Sequence, residues 1–296
     1  MLQVSTISEN LEKITTSMLK RNIDIKSILE KIIETDNNRR STQSSLDNSL
    51  ASSNQLAKEI GEFFKSGETK KAGILKEKAG FLKKESKNFS EKLSNIIKEL
   101  NNLLLEVPNI PHELVPSGSN ESDNKEIFKW GSIPKLKETA LPHWDLASKY
   151  DIIDFELGNK ITGAGFPVYK DKGAKLQRAL INYFLDKNTK AGYKEFQVPI
   201  LVNEDSGTGT GQLPDKEGQM YYIKEDNLYL APTAEVPLTN IFRNNIVKAS
   251  ELPICLTSYT PCFRREAGSY GSHVRGLNRL HQFDKVEIVR IEEPEN

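Results

Sequence analysis

A chain of 296 residues is long enough for two domains with a sizeable core, and its 41 Lys and Arg balance 41 Asp and Glu to a formal net charge of zero. That balance gives no overall cationic field, so any contact with nucleic acid has to come from a local patch. Two lone cysteines, Cys255 and Cys262, and four scattered histidines, His112, His143, His273 and His281, read as no zinc site; no segment approaches the roughly 18 apolar residues of a membrane span, so a soluble, reduced, cytoplasmic protein is expected.

From Asp24 to about Leu105 proline is almost absent and Lys, Glu, Leu, Ile, Ser and Asn dominate, which is helical composition. Leu75, Ala79, Leu82, Phe89, Leu93, Ile96, Leu100 and Leu103 fall at alternating steps of four and three, broken only at Ser86. This is a coiled-coil seam. The first half carries the pattern more weakly through Ile25, Ile32, Leu46, Leu50, Ala57, Ile60 and Phe64, with a polar interruption at Arg39 and Gln43. Lys65-Ser66-Gly67 supplies a helix stop and a turn. The pattern predicts two antiparallel helices of roughly 35 to 40 residues, an arm about 55 Å long at about 1.5 Å per residue. Its second helix presents Lys70, Lys71, Lys76, Lys78, Lys83, Lys84, Lys87 and Lys92 against fewer acids, either a solvated face or a surface for phosphates.

Val107-Pro108-Asn109-Ile110-Pro111 ends the helix and Pro116 to Ser122 reads as a connector, placing a domain boundary near residue 110. The fold class expected is α+β: a helical arm over 1–110, then an antiparallel sheet with flanking helices over 111–296. Lys175 to Asn188 reads as an amphipathic helix with Leu176, Leu180, Tyr183 and Phe184 on its apolar stripe, followed by a strand from Glu195 to Val202 in which Pro199 argues for an edge. Ser206-Gly207-Thr208-Gly209-Thr210-Gly211-Gln212 lacks the spacing of a nucleotide cradle and is expected to be a mobile loop. The strand Asn227 to Leu230 leads into Ala231-Pro232-Thr233-Ala234-Glu235, where Glu235 taken alone could be a helix N-terminal charge or cap.

The most informative stretch runs from Thr257 to Val289. Leu256 to Phe263 and Leu280 to Val289 predict two strands of a hairpin with a tip rich in glycine and cations. Residues two apart share a face of a strand, so Arg264 and Glu266 are expected on one side of the first strand and Arg279, Phe283 and Glu287 on one side of the second. Buried in a core those charges would be costly, and a solvated face has little use for Phe283. A ligand that is anionic, aromatic and cationic in different places satisfies them, and ATP beside an amino acid is such a ligand.

Phe263-Arg264-Arg265-Glu266 followed by Arg279-Leu280-His281-Gln282-Phe283 resembles motif 2 of the class II aminoacyl-tRNA synthetases, and the wording FRREAGSYGSHVRGLNRLHQFDKVE resembles the seryl-tRNA synthetases in particular. GAKLQRALINYFLDKNTKAGYKEFQVPILVN is similar to motif 1, which in that family forms the dimer interface. Thr233-Ala234-Glu235 is similar to the loop that holds the amino acid.

The resemblance implies activation of L-serine by ATP with Mg2+ on the phosphates, then transfer to tRNA(Ser). Arg264 would lie at the α-phosphate and the incoming carboxylate with Arg265 beside the nucleotide, Glu266 would read the adenine amino group, Phe283 would stack on adenine, and Arg279 would meet the terminal phosphate. Thr233, Ala234, Glu235 and Glu287 would hold serine, and the arm, through Lys76, Lys83, Lys84 and Lys87, would grip the long extra arm of the tRNA. One departure is that nothing up to Asn296 resembles the family's third motif, so the chain is expected to be the N-terminal part of a longer protein and to lack exchange activity alone. A synthetase-like paralogue that binds without charging, an amino-acid:carrier-protein ligase and a coiled-coil scaffold are the alternatives.

Overall fold

The computed structural model describes residues 1–266 and 275–295, which form two compact units, Met1–Ser132 and Ile133–Asn296.

The first unit is helical. It contains α1 (Val4–Glu9), α2 (Leu11–Leu19), α3 (Lys26–Lys65) and α4 (Thr69–Glu106). α3 stops at the expected turn, where Gly67 takes φ +80°, a conformation that costs a residue without Cβ little. The two long helices, 40 and 38 residues, run antiparallel: Lys31 pairs with Glu99 at 3.3 Å near the base, and Ser49 meets Ser86 at 2.8 Å halfway out. The arm is therefore about 60 Å long. α1 and α2, which sequence periodicity did not flag, fold back on the base. They bury Ile7, Ile14 and Met18 with Ile25, Leu29, Ile32, Leu100, Leu103, Leu104 and Val107. Helices of 6 and 9 residues are too short to stand without that packing, and too short to show a period.

The seam of α4 is the expected one, but that of α3 is shifted by one residue in its distal half. Leu50, Ala57 and Phe64 are exposed, whereas Ser49 and Leu56 are buried and Ser53 and Phe63 half-buried. The cause is the serine pair. Ser86 Oγ donates to the Leu82 carbonyl at 2.8 Å and shares a hydrogen bond with Ser49 Oγ, so both hydroxyls are satisfied and can be buried. The polar interruption is likewise real but centred elsewhere. Asp36 is buried, held at 2.7 Å by Nε of both Arg39 and Arg40. Burial alone would raise its carboxyl, yet the hydrogen bonds and charges of the two arginines more than offset this and hold its pKa below the usual carboxylate value.

The second unit contains α5 (His143–Lys149), β1 (Ile153–Asp154), α6 (Phe155–Ile161), β2 (Val168–Tyr169), α7 (Asp171–Lys190), β3 (Lys194–Glu195), β4 (Leu201–Val202), α8 (Glu204–Gly209), β5 (Tyr222–Ile223), β6 (Leu228–Leu230), α9 (Glu235–Asn240), β7 (Ile254–Phe263) and β8 (Gln282–Ile291). β7 and β8 pair antiparallel from Ile254↔Ile291 to Phe263↔Gln282, with β3 parallel on the other edge of β7. β4, β6 and β5 form a second, antiparallel sheet. The helices and sheets together are α+β, as expected.

Two local expectations fail. The strand expected from Glu195 to Val202 is split into β3 and β4, because Pro199 has no N–H to give a ladder and the two pieces join different sheets. The expected loop at Ser206 to Gln212 begins as α8: the Asn203 side chain accepts from the Ser206 amide at 2.9 Å, Glu204 and Asp205 occupy the first turn, and Gly207 packs where a Cβ would lie 2.8 Å from Leu213.

α7 lies on the back of the β7–β8 hairpin. Asn188 Nδ2 donates to Thr257 Oγ1 at 2.9 Å, Gln177 donates to Asp284, and Tyr259 donates to the other oxygen of Asp284 at 2.6 Å. That leaves Leu176, Leu180, Tyr183 and Phe184 on the outward side of α7, between 46% and 56% exposed. On the front, Leu256 and Val289 pack against Ala234 and Leu238, so the start of α9 is pressed onto the hairpin.

Candidate active site

Front-face residues of β8 are those in step with Phe283, which lies opposite buried Cys262. Two residues on comes Lys285, and two more Glu287. Thr233, buried by the packing of α9, places its hydroxyl 2.6 Å from Glu287 Oε2, to which it donates. Lys285 Nζ is 2.5 Å from the same oxygen and 3.1 Å from Thr233 Oγ1. The Glu287 carboxylate thus receives one ammonium and one hydroxyl from its own chain. Thr233 Oγ1 also accepts from the Glu235 amide at 3.2 Å, which fixes the turn into α9. Ala234 is fully buried behind that turn, and Glu235 stands exposed at the first position of α9.

Arg264 follows directly on β7. Its amide donates to the His281 carbonyl at 2.9 Å, extending the ladder by one residue, and its Nε donates to the Pro232 carbonyl at 3.3 Å. The guanidinium lies 5.1 Å from the Phe283 ring centroid, covering one face of the ring. Beyond Arg264 the expected alternation fails. Glu266 has φ +47°, a left-handed conformation in which side chains no longer alternate, and both Glu266 and Arg279 lie outside the strands. They pair with each other at 2.8 Å instead. Glu266 and Arg279, with Arg265, Arg275, His281, Trp144 and Phe166, line a cavity of about 900 Å³. Arg265 sits over the Tyr221 ring at 5.5 Å and Arg275 over Trp144 at 5.1 Å.

The candidate residues therefore fall into two groups, not one face: Arg264, Phe283, Thr233 and Glu287 together, and Arg265, Glu266 and Arg279 at the cavity, with Glu235 at the head of α9. The hairpin tip, Ala267 to Val274 with His273, lies outside the described residues. Lys285 was missed by sequence reading, although counting by two from Phe283 to Glu287 passes through it. For His143 and His281 the sequence excludes a zinc site and assigns no other role. His143 Nε2 accepts from the Leu277 amide at 2.8 Å, and His281 meets the Tyr221 hydroxyl at 2.6 Å.

Burial pushes the Cys262 thiol up from its ordinary value, so it is an unreactive neighbour and not a nucleophile. Among the described residues no cluster of three His, Cys, Asp or Glu is placed to hold a metal. What the front face offers is fixed charge: a guanidinium on an aromatic ring beside a carboxylate that takes an ammonium and a hydroxyl. Such a surface orients and neutralises.

Comparison with known proteins agrees over the whole chain. Residues 1–111 match the family model of the seryl-tRNA synthetase N-terminal domain, and residues 221–296 that of the tRNA synthetase class II core domain (G, H, P, S and T). A serine–tRNA ligase from Salinibacter ruber is 43% identical over 295 residues, all of this chain and 69% of that protein. One from a Hydrogenobaculum species is 45% identical over 296 residues and 70% of its length. Among solved structures, seryl-tRNA synthetase from Pyrococcus horikoshii complexed with ATP superposes with a TM-score of 0.82 at 28% identity, covering 100% of this chain and 70% of that one. With relatives 43% and 45% identical that it covers to 69% and 70% of their length, and with the N-terminal and core domain models matched in chain order, the chain belongs to the seryl-tRNA synthetase family.

Proposed function

We propose that this chain activates L-serine with ATP and passes the seryl group to tRNA(Ser). The observation that carries the reading is Glu287, whose Oε2 accepts an ammonium from Lys285 and a hydroxyl from Thr233. Serine presents the same two donors. In activation a serine carboxylate oxygen attacks the α-phosphorus of ATP, the bond to the bridging oxygen breaks, and pyrophosphate leaves. In transfer a terminal ribose hydroxyl of the tRNA attacks the seryl carbonyl and AMP departs with the electron pair. Neither step needs a side-chain nucleophile.

Arg264 neutralises the two anions that must meet, and its position over Phe283 leaves the ring's other face for adenine. Glu266 and Arg279 serve the adenine amino group and the terminal phosphate once their mutual ion pair opens, and Arg265 lies beside them at the nucleotide. Glu287, Thr233, Ala234 and Glu235 form the serine pocket. Magnesium would accompany ATP and supply counter-charge to the triphosphate. The arm, 1–110, serves tRNA and 111–296 the chemistry. No described helix is long and apolar enough to cross a membrane, and the cytoplasm is where this reaction's substrates are met.

In the natural full-length protein, serine is expected to support exchange of pyrophosphate into ATP while alanine falls short by roughly 10⁴-fold, because the missing hydroxyl leaves buried partners unpaired. Exchange with alanine equal to that with serine sinks the assignment.

The outward apolar stripe of α7 supports a homodimer, since four large apolar side chains in a row rarely face water. Sedimentation is expected to give a dimer, and Leu180→Glu with Phe184→Glu a folded monomer. A parent that sediments as a monomer removes the interface.

A further inference from the structure

The His281 side chain is given no part in holding substrate, yet three separate segments converge on this residue. Its amide donates to the Gly165 carbonyl at 2.9 Å, and its carbonyl receives the amide of Arg264 at 2.9 Å. Its ring stacks on Phe166 with centroids 5.2 Å apart and planes 18° from parallel. The approach is close enough that a Cβ on Gly165, which has φ +85°, would come within 2.4 Å of the imidazole. On the other side the Tyr221 hydroxyl lies 2.6 Å from Nδ1. Burial pushes the Tyr221 phenol up from its ordinary value, so it keeps its proton and shares the hydrogen bond with Nδ1, donating or accepting as the imidazole tautomer sets. Tyr221 is itself tied to the second sheet, where its carbonyl accepts from Leu230 at 3.0 Å, and its ring carries the Arg265 guanidinium at 5.5 Å. The Arg265 amide completes the loop, donating to the Gln219 carbonyl at 2.8 Å.

We infer that His281 is a positioning residue for the activation step: held between Phe166 and Tyr221, it fixes the segment that carries Arg264 and Arg265 so that their guanidiniums are in place before ATP arrives. The inference rests on the proposed adenylation reading. Holding the backbone alone would need only the two peptide hydrogen bonds; the side chain adds a stacked contact on one face of the ring and a directional bond at its edge, which remove the freedom of the segment to slide or rotate. Rotation here moves Arg264 at the reacting phosphate. Thr233 and Glu287 of the serine pocket bond to each other and to Lys285, not to His281 or Tyr221, so serine affinity is expected to be independent of the clamp.

The test compares four variants of the natural full-length protein by steady-state pyrophosphate exchange and by thermal melting. Tyr221→Phe removes one hydroxyl and no volume; kcat is expected to fall about tenfold, with KM for serine within about twofold and the melting temperature within a few degrees. His281→Asn, whose amide oxygen can stand near the Nδ1 position, should keep kcat within about threefold, whereas His281→Gln, which reaches toward Nε2 instead, should fall about as far as Tyr221→Phe. Combining Tyr221→Phe with His281→Asn should cost no more than Tyr221→Phe alone, since both act on one bond. Parental kcat in both Tyr221→Phe and His281→Gln overturns the inference. So does a fall in melting temperature and a rise in serine KM with kcat unchanged, which is the mark of a purely structural residue. If the parent exchanges with an amino acid other than serine, the substrate assignment falls while the order of the variants, measured with that amino acid, still decides the role of His281.

Discussion

Arg264→Ala is expected to lower serine-dependent pyrophosphate exchange by about 10² to 10³-fold, the size that follows when one preorganised donor to a developing charge is removed. Two features make Arg264 that donor. Its backbone is held by the His281 carbonyl at 2.9 Å and its Nε by the Pro232 carbonyl at 3.3 Å, so the guanidinium is placed before the nucleotide arrives. Its charge also sits over the Phe283 ring, 5.1 Å from the centroid, so the cation and the aromatic surface proposed for adenine are fixed side by side. Because the interaction strengthens as the serine carboxylate closes on the α-phosphate, kcat and kcat/KM should fall together, with little change in KM. Lysine should not restore the rate, since an ammonium lacks the planar fork with which a guanidinium meets two oxygens in parallel. An exchange rate within threefold of the parent, measured at saturating ATP and serine, would remove Arg264 from the mechanism.

Much of this site is legible in the sequence because β-strand geometry is simple. Counting by two along Gln282 to Ile291 places Phe283, Lys285 and Glu287 on one side, and the structure agrees. The count fails where the strand ends. Nothing in Arg264-Arg265-Glu266 announces the φ of +47° at Glu266 that turns its carboxylate to Arg279. The arm shows the same division. Helix lengths and the turn at Gly67 follow from composition and periodicity, but the register of distal α3 depends on two serines that satisfy each other across the seam, a tertiary fact. Residues assembled from distant segments were the hardest to see. His281 has no motif of its own, and its role appears only when Gly165, Phe166 and Tyr221 are brought round it.

Shortening the arm separates the two chemical steps. Excising Asp36 to Ser94 and closing the helices with a glycine-containing turn removes the distal coiled coil and keeps the base core of Ile7, Ile14, Met18, Ile25, Leu29, Ile32, Leu100 and Leu103. Every residue assigned to ATP or serine lies beyond Pro232, so exchange should stay within a few-fold of the parent while seryl transfer to tRNA collapses. The cause is electrostatic. Lys76, Lys83 and Lys87 recur at helical spacing along one stripe of α4 with Lys84 beside it, all exposed, and among the described residues only Lys87 of the four makes an ion pair, with Glu91 at 3.8 Å. A screened surface pair at that distance holds its lysine weakly, leaving it free to meet a phosphate. Each phosphate that a lysine neutralises releases counter-ions, so replacing the four lysines together with neutral residues should flatten the dependence of log K for tRNA on log salt by roughly one unit for every phosphate no longer neutralised. A single replacement should shift it little. If the shortened protein charged tRNA at the parental rate, or the four-lysine variant kept the parental slope, the arm would be a structural rod and its cationic stripe a solvated face.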